Sequence, residues 1–207
     1  MRDIYLYPNT IVLKNKLGIK NNDELRDAEA DFVSFRLSCL QQEPLGGDYG
    51  PVHFLAFHNY IFQDLYEWAG EIRKINIYKE EDVLGGLSVE YSDIFDIRRD
   101  LATVLARMNG RNWASMTDTE KAQKFSEDIA ALWKIHCFRE GNTRTVITFC
   151  CQYSDEHGFS MERTLFEENS AYVRAALVAY NAVFDDLGDL SKPEYLEKIV
   201  YDSIKND

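Results

Sequence analysis

The sequence predicts a mainly α fold, a helical bundle with one inserted β-hairpin, and three observations carry that expectation. Apolar residues recur at helical spacing along most of the 207 residues. One stretch alone, Ile72 to Tyr91, turns to β-prone residues around Gly85-Gly86, the pattern of a hairpin. No repeat, low-complexity tract or Pro/Gly/Ser linker divides the chain, so residues 1–207 read as a single domain.

The elements follow in order. Asn22 precedes Asp23-Glu24-Leu25, and a helix runs to about Leu40 with Leu25, Ala28, Phe32 and Phe35 at helical spacing. A second is expected from Val52 to Trp68, with Leu55, Ile61, Phe62, Leu65 and Trp68 on one stripe and Gly70 as its stop. His53 and His58 ride on it as packing or capping residues. In the hairpin, Ile72, Ile75 and Ile77 face Leu87, Val89 and Tyr91 across the glycine pair. Helical spacing resumes at Ile94, Ile97, Leu101, Val104 and Leu105. Thr117-Asp118-Thr119-Glu120 opens the next helix with a capping-type start, followed by Phe125, Ile129, Leu132 and Trp133. Another fills roughly Thr145 to Asp155, closed by Gly158. Ser170 to about Phe184 and Ser191 to Ile204 are the last two, Ser191 and Glu194 reading as a capping box.

Composition narrows the function classes. Apolar residues at 45% and charged residues at 28% suit a soluble globular protein. With 23 Lys+Arg against 35 Asp+Glu, the net charge of −12 repels nucleic acid and anionic membranes, so neither is an expected partner. The first ten residues lack the apolar core of a signal peptide, which points to a cytoplasmic protein. Cys39, Cys137, Cys150 and Cys151 have neither disulfide nor zinc spacing and read as reduced thiols.

The chemistry is concentrated in His136-Cys137-Phe138-Arg139-Glu140-Gly141-Asn142-Thr143-Arg144. Gly141 lets the backbone approach a ligand closely, and the segment leads straight into a helix whose first N–H groups and positive dipole end face the same space. Arg144 at a helix start is disfavoured unless an anion neutralises both. Glu140 is a hard oxygen ligand suited to magnesium, and His136 can take a proton near neutral pH. A base, a metal carboxylate and an anion cradle so close together describe phosphoryl or nucleotidyl transfer. That requires His136 to look into a cavity beside the glycine turn.

This string resembles the signature of the Fic family, His-x-Phe-x-(Asp/Glu)-Gly-Asn-x-Arg. Phe62-x-Asp64-x-Tyr66-x-Trp68-Ala69-Gly70-x-Ile72-Arg73 is similar to the family's helix leading into its active-site flap, and Lys16-Leu17-Gly18-Ile19 to the N-terminal lead-in of bacterial members. The resemblance implies a Fic-type helical bundle and a protein adenylyltransferase that moves AMP from ATP to a Tyr, Thr or Ser hydroxyl of a target protein. His136 would be the general base and Phe138 a core anchor. Glu140 would hold Mg2+; Arg139, Gly141, Asn142, Thr143 and Arg144 would bind nucleotide phosphates. The hairpin of about residues 74–91 would be the flap, with Lys74, Ile75, Asn76 and Ile77 holding the target by strand addition. Bacterial toxins of this organisation act on type II topoisomerases and are restrained by a separate antitoxin, and both partners are carried over as expectations.

Three positions depart from the family pattern. Cys137 stands where proline is usual, Thr143 replaces a glycine, and Ile147 takes the place of a second arginine that holds the γ-phosphate. Loss of that charge-assisted contact costs on the order of 1.5–3 kcal/mol of ATP positioning, which Arg139, Lys74 or Lys79 would have to supply. Thr164 to Asn169 matches the family's inhibitory (Ser/Thr)-x-x-x-Glu-(Gly/Asn) string, but its place favours a turn and cap. The alternatives are a Doc-like kinase transferring the γ-phosphate, a de-AMPylating or other-nucleotide variant, and a pseudoenzyme that binds a peptide at the flap.

Overall fold

The protein is described by a computed structural model over residues 3–204. Its helices are α1 Asn22–Gln42, α2 Pro51–Phe62, α3 Ile97–Asn109, α4 Asp118–Ile135, α5 Asn142–Glu156, α6 Arg163–Glu168, α7 Ser170–Tyr180 and α8 Glu194–Ile204. Short 3-10 turns lie at Asp82–Leu84 and Trp113–Ser115, and β1 Val183–Phe184 pairs antiparallel with β2 Gly188–Asp189.

α4 is the axis of the bundle and packs against α3, α5, α7 and α8. Its start is the capping box expected of Thr117 and Glu120: the Thr117 hydroxyl accepts the Glu120 N–H at 3.3 Å, and the Glu120 carboxylate accepts the Thr117 N–H at 2.8 Å. Phe125, Ile129, Leu132 and Trp133 recur at helical spacing and are all buried. α2 lies on α5 through edge-to-face contacts of Phe149 with Phe54 and Phe57, at 5.1 and 5.2 Å between centroids. The buried Asp128 carboxylate on α4 is held by Arg107 Nε at 2.8 Å and Arg111 Nε at 2.6 Å. That pairing ties α4 to α3 and its following turn, and removing a partner would leave a buried charge uncompensated.

Four expectations need correction. α2 ends at Phe62, well before Trp68. Beyond it the chain closes tight turns, Leu65 N–H to Phe62 O at 3.0 Å and Ala69 N–H to Tyr66 O at 3.2 Å, because Arg36 draws in Asp64 at 2.6 and 2.8 Å and Lys16 N–H caps Leu65 O at 2.8 Å. Leu65, Tyr66 and Trp68 stay buried, so their stripe marks the core but not a continuous helix.

On α1 the inward face carries Leu25, Val33 and Leu40, whereas Phe35 is 60% exposed. Glu29 and Arg36 share the inward register, and both find partners there.

The expected hairpin of residues 74–91 forms no β-ladder; the small sheet lies instead at β1 and β2. Its two arms are extended and share backbone–backbone hydrogen bonds near the tip, Glu81 N–H to Leu87 O and Gly86 N–H to Glu81 O, both 3.1 Å, with side-chain links below it. Gly85 and Gly86, at φ +63° and +93°, turn the chain after the 3-10 segment. Lys79 gives its N–H to the Ser88 hydroxyl at 3.1 Å instead of to a facing carbonyl, and a ladder cannot continue past it. Finally, α7 stops at Tyr180 and its expected last turn becomes β1, while Asn169 ends α6 by donating its side-chain amide to Leu165 O at 2.8 Å. That is the turn and cap read from Thr164 to Asn169. Among the described residues no helix is long and apolar enough to cross a membrane.

Candidate active site

The string from His136 to Arg144 forms the junction of α4 and α5. His136 is the C-cap of α4 in the left-handed region, φ +49°, a conformation that costs a residue with a β-carbon about 1–2 kcal/mol. Gly141, at φ +81°, is the N-cap of α5. A β-carbon there would lie 2.3 Å from the Phe62 ring, so both conformation and space demand glycine. The turn leaves the first N–H groups of α5 without intrahelical acceptors, at the positive end of its dipole.

The junction is stapled from within. Asn142 accepts the Phe138 N–H and donates to the Phe138 carbonyl, both at 2.9 Å. Phe138 is fully buried, its ring stacked on His58 at 3.7 Å. His58 accepts the Gly70 N–H at 2.8 Å and its other nitrogen lies 3.0 Å from the Glu140 carbonyl. Burial above all lowers the His58 pKa to about 3, so it is a neutral structural link.

Arg73, also buried, binds the loop from the flap side. Its Nε donates to the His136 carbonyl at 2.8 Å, Nη1 to Ile75 O at 2.7 Å, and Nη2 to Ser92 O. One guanidinium thereby fixes the end of α4 to both roots of the flap.

Against this background His136 stands apart. It is 1% exposed, and among the described residues neither ring nitrogen has a hydrogen-bond partner. The imidazole stacks under Tyr91 of the flap at 4.1 Å and meets Trp133 edge-on at 5.3 Å. Burial, then the charges of Lys79, Arg174 and Arg73, hold its pKa well below the usual histidine value. The expectation of an imidazole facing an open cavity is therefore corrected: the flap covers it. The cover is fastened by Arg174 on α7, whose Nη2 lies 2.6 Å from Glu81 Oε1, and by Lys79, whose Nζ lies 3.4 Å from Glu140 Oε2.

Glu140 gives its other oxygen to the Gly141 N–H at 3.1 Å. Burial alone would raise its pKa, but Lys79, the Gly141 N–H, Arg144 and Arg139 outweigh it and keep the carboxyl below its ordinary value. An ionised carboxylate beside an ammonium already serves as a cation site. No group of three His, Cys, Asp or Glu side chains gathers around it among the described residues, so a metal ion would complete its oxygen shell with phosphate and water.

The remaining expected phosphate ligands are placed differently. Arg139 pairs with Asp3, with Nε and Nη2 each 2.8 Å from Oδ2, while its Nη1 lies 3.9 Å from Glu140 Oε2, so it stands at the edge of the expected phosphate site. Arg144 pairs with Glu29 of α1 and lies over the Phe62 ring at 5.0 Å. Asn142 and Thr143 offer backbone N–H groups, while the Asn142 side chain holds the loop and the Thr143 hydroxyl oxygen accepts from Trp133 Nε1 at 2.9 Å. Ile147 faces a pocket of about 100 Å³ together with Leu37, Phe166 and Val173.

On the flap, Lys74 is exposed and paired with Glu71 at 2.9 Å, and the Asn76 amide joins Asp93 at 2.7 Å. Asn76 and Ile77 border grooves of about 440 and 520 Å³ on the two sides of the flap, and Ile75 borders the second. The sequence analysis missed Glu29, which also accepts from Tyr66 Oη, together with Arg174 and the stapling role of Arg73. Glu29 had a signal, being a charge spaced four residues from both Leu25 and Val33.

Comparison with known proteins places this geometry. The family model described as Fic/DOC family matches residues 49–154. The chain is 31% identical to the probable protein adenylyltransferase y4lH of Sinorhizobium fredii, over 81% of this chain and 83% of that protein. It is 29% identical to the protein adenylyltransferase VbhT of Bartonella schoenbuchensis over 86% of this chain, but spans only 36% of VbhT. The fold matches an N-terminal Fic domain of a Bartonella quintana effector solved with bound ADP, with a TM-score of 0.77, 24% identity, and 96% of this chain and 93% of that one covered.

Proposed function

Because the chain belongs to the Fic/DOC family, we propose that it is a protein adenylyltransferase, moving AMP from ATP onto a hydroxyl side chain of another protein. The observation that carries this is the orphaned imidazole of His136. A buried polar group without a partner costs about 1–3 kcal/mol, and His53 and His58, which are structural, are satisfied at both nitrogens. His136 adds an unfavourable backbone conformation to that cost. Such costs persist where chemistry needs the group in place.

In this reading the flap lifts and the neutral His136 accepts the proton of the target hydroxyl. The hydroxyl oxygen forms a bond to the α-phosphorus as the bond from that phosphorus to the oxygen bridging to the β-phosphorus breaks, and pyrophosphate leaves with that electron pair. His136 then releases its proton to solvent. The N–H groups at the start of α5 and the Arg144 guanidinium stabilise charge on the phosphates, the guanidinium by leaving Glu29. Glu140 would hold Mg2+, which when bound neutralises the polyphosphate and the departing pyrophosphate. The flap arms carry no β-ladder among the described residues, so the backbone around Asn76 and Ile77, with Ile75 beside it, is available to hold an extended target segment by strand addition. The Bartonella quintana relative was solved with bound ADP, which supports a nucleotide as the ligand here.

The experiment is incubation with magnesium, a cell lysate and ATP labelled at either the α- or the γ-phosphate. Label from the α-position on protein is the expected result. Label from the γ-position alone would replace this reading with a kinase, and no label from either would contradict transfer from ATP.

A further inference from the structure

We propose that Lys79 is the cation that grips the polyphosphate tail of the nucleotide, leaving Glu140 for phosphate when a metal ion takes that carboxylate. This rests on the adenylyltransferase reading and assigns the role for which position 147, an isoleucine, has no charge. The second turn of α5 supplies no cation to the site: Ile147 lines a largely apolar pocket with Leu37, Phe166 and Val173, which Arg144 and Arg163 also border, the latter paired with Asp155 at 3.3 Å.

The cations around the junction differ in how they are held. Arg139 is bound through two nitrogens to Asp3, and Arg73 lies buried among carbonyl oxygens. Arg174 is joined to Glu81, and Lys74 points outward to Glu71. Arg144 sits between Glu29 and the Phe62 ring. Lys79 differs in that its ammonium is paired with the metal-type carboxylate itself, at 3.4 Å, whereas Arg139 reaches the same oxygen only at 3.9 Å and is held by Asp3 at 2.8 Å. Its backbone is anchored by the Ser88 hydroxyl at 3.1 Å, and its side chain is largely shielded from water.

Lys79 therefore occupies the place of a cation beside Glu140. Were Glu140 to hold a divalent ion, the Lys79 ammonium would lose its acceptor, and the nucleotide phosphate oxygens would be its replacement. An ammonium on a flexible four-carbon stem can make this exchange without moving the backbone. Because Lys79 belongs to the flap, the same exchange makes the position of the flap depend on whether a polyphosphate is present.

Isothermal titration of the full chain with ATP and with AMP, each with magnesium and without target protein, tests the assignment. Lys79→Met is expected to weaken ATP binding about 10- to 100-fold, the loss of one charge-assisted contact, while leaving AMP binding unchanged. Lys79→Arg is expected to keep most of the ATP affinity. Undiminished ATP binding by Lys79→Met, or an equal loss for AMP, would overturn the proposal and leave the adenylyltransferase reading intact. Failure of the wild-type protein to bind ATP at all would overturn both.

Discussion

Replacing His136 with leucine should make the protein more stable while abolishing its activity. The imidazole is 1% exposed, holds two polar nitrogens without partners, and packs against Tyr91 and Trp133. Leucine of similar volume removes the desolvation cost of those nitrogens, about 1–3 kcal/mol. Imperfect packing of a new shape returns at most about 1.5 kcal/mol, and the left-handed backbone strain is common to both residues. The expected net is a stabilisation of about 1 kcal/mol, a rise of roughly 2–4 °C in melting temperature for a chain of this size. His58→Leu is the control. It strips partners from the Gly70 N–H and the Glu140 carbonyl, at 2.8 and 3.0 Å, and should destabilise by about 2–4 kcal/mol. Urea unfolding of the two variants, with α-label transfer measured in parallel, is the assay. If His136→Leu were as destabilising as His58→Leu, His136 would be an ordinary core residue and the inference from its missing partners would fail.

Three further outcomes are expected. Gly141→Ala forces a β-carbon to within 2.3 Å of the Phe62 ring at φ +81°, so denaturant unfolding should show a loss of about 2–4 kcal/mol, with nucleotide binding lost. Arg174→Gln removes the ion pair of the nearly buried Glu81 carboxylate and leaves it the Tyr91 hydroxyl at 3.4 Å; amide exchange should quicken along residues 81–91 while α4 stays protected, and unchanged exchange there would show that the flap is held by other means. His58 and His136 both have folded pKa values below the unfolded value of about 6.5, so the unfolded chain binds protons first as pH falls. Each then withdraws about 1.4 kcal/mol of stability per pH unit below roughly 6.5, His58 down to about 3, and none above it. The slope of unfolding free energy against pH between 6 and 5 should fall by about 1.4 kcal/mol per unit in His136→Leu, and an unchanged slope would contradict a neutral buried imidazole.

What the sequence made legible were features written in local chemistry. The Thr117–Glu120 capping box, the buried stripe from Phe125 to Trp133 and the Gly141 turn into α5 depend on residues near one another in the chain, and they stand as expected. The features that escaped depend on distant partners. α2 stops because Arg36 and Lys16 bind the turns beyond it, which the apolar spacing of Leu65 and Trp68 cannot reveal. The flap has the composition of a hairpin, but its roots are set by Arg73 and its tip by Glu81 and Arg174, so strand propensity did not decide its form. At the candidate site the residue types were readable and their partners were not. Neither the Asp3 partner of Arg139, far away in sequence, nor the Tyr66 and Arg144 partners of Glu29 could be read from spacing.

The most direct measurement is the rate of AMP transfer by the His136→Ala variant, taken together with its affinity for magnesium-ATP. Here His136 receives a proton and binds no phosphate, so transfer should drop by about 10²–10⁴-fold, the worth of a positioned general base, with ATP affinity retained. A variant that still transfers AMP at the wild-type rate would contradict the account.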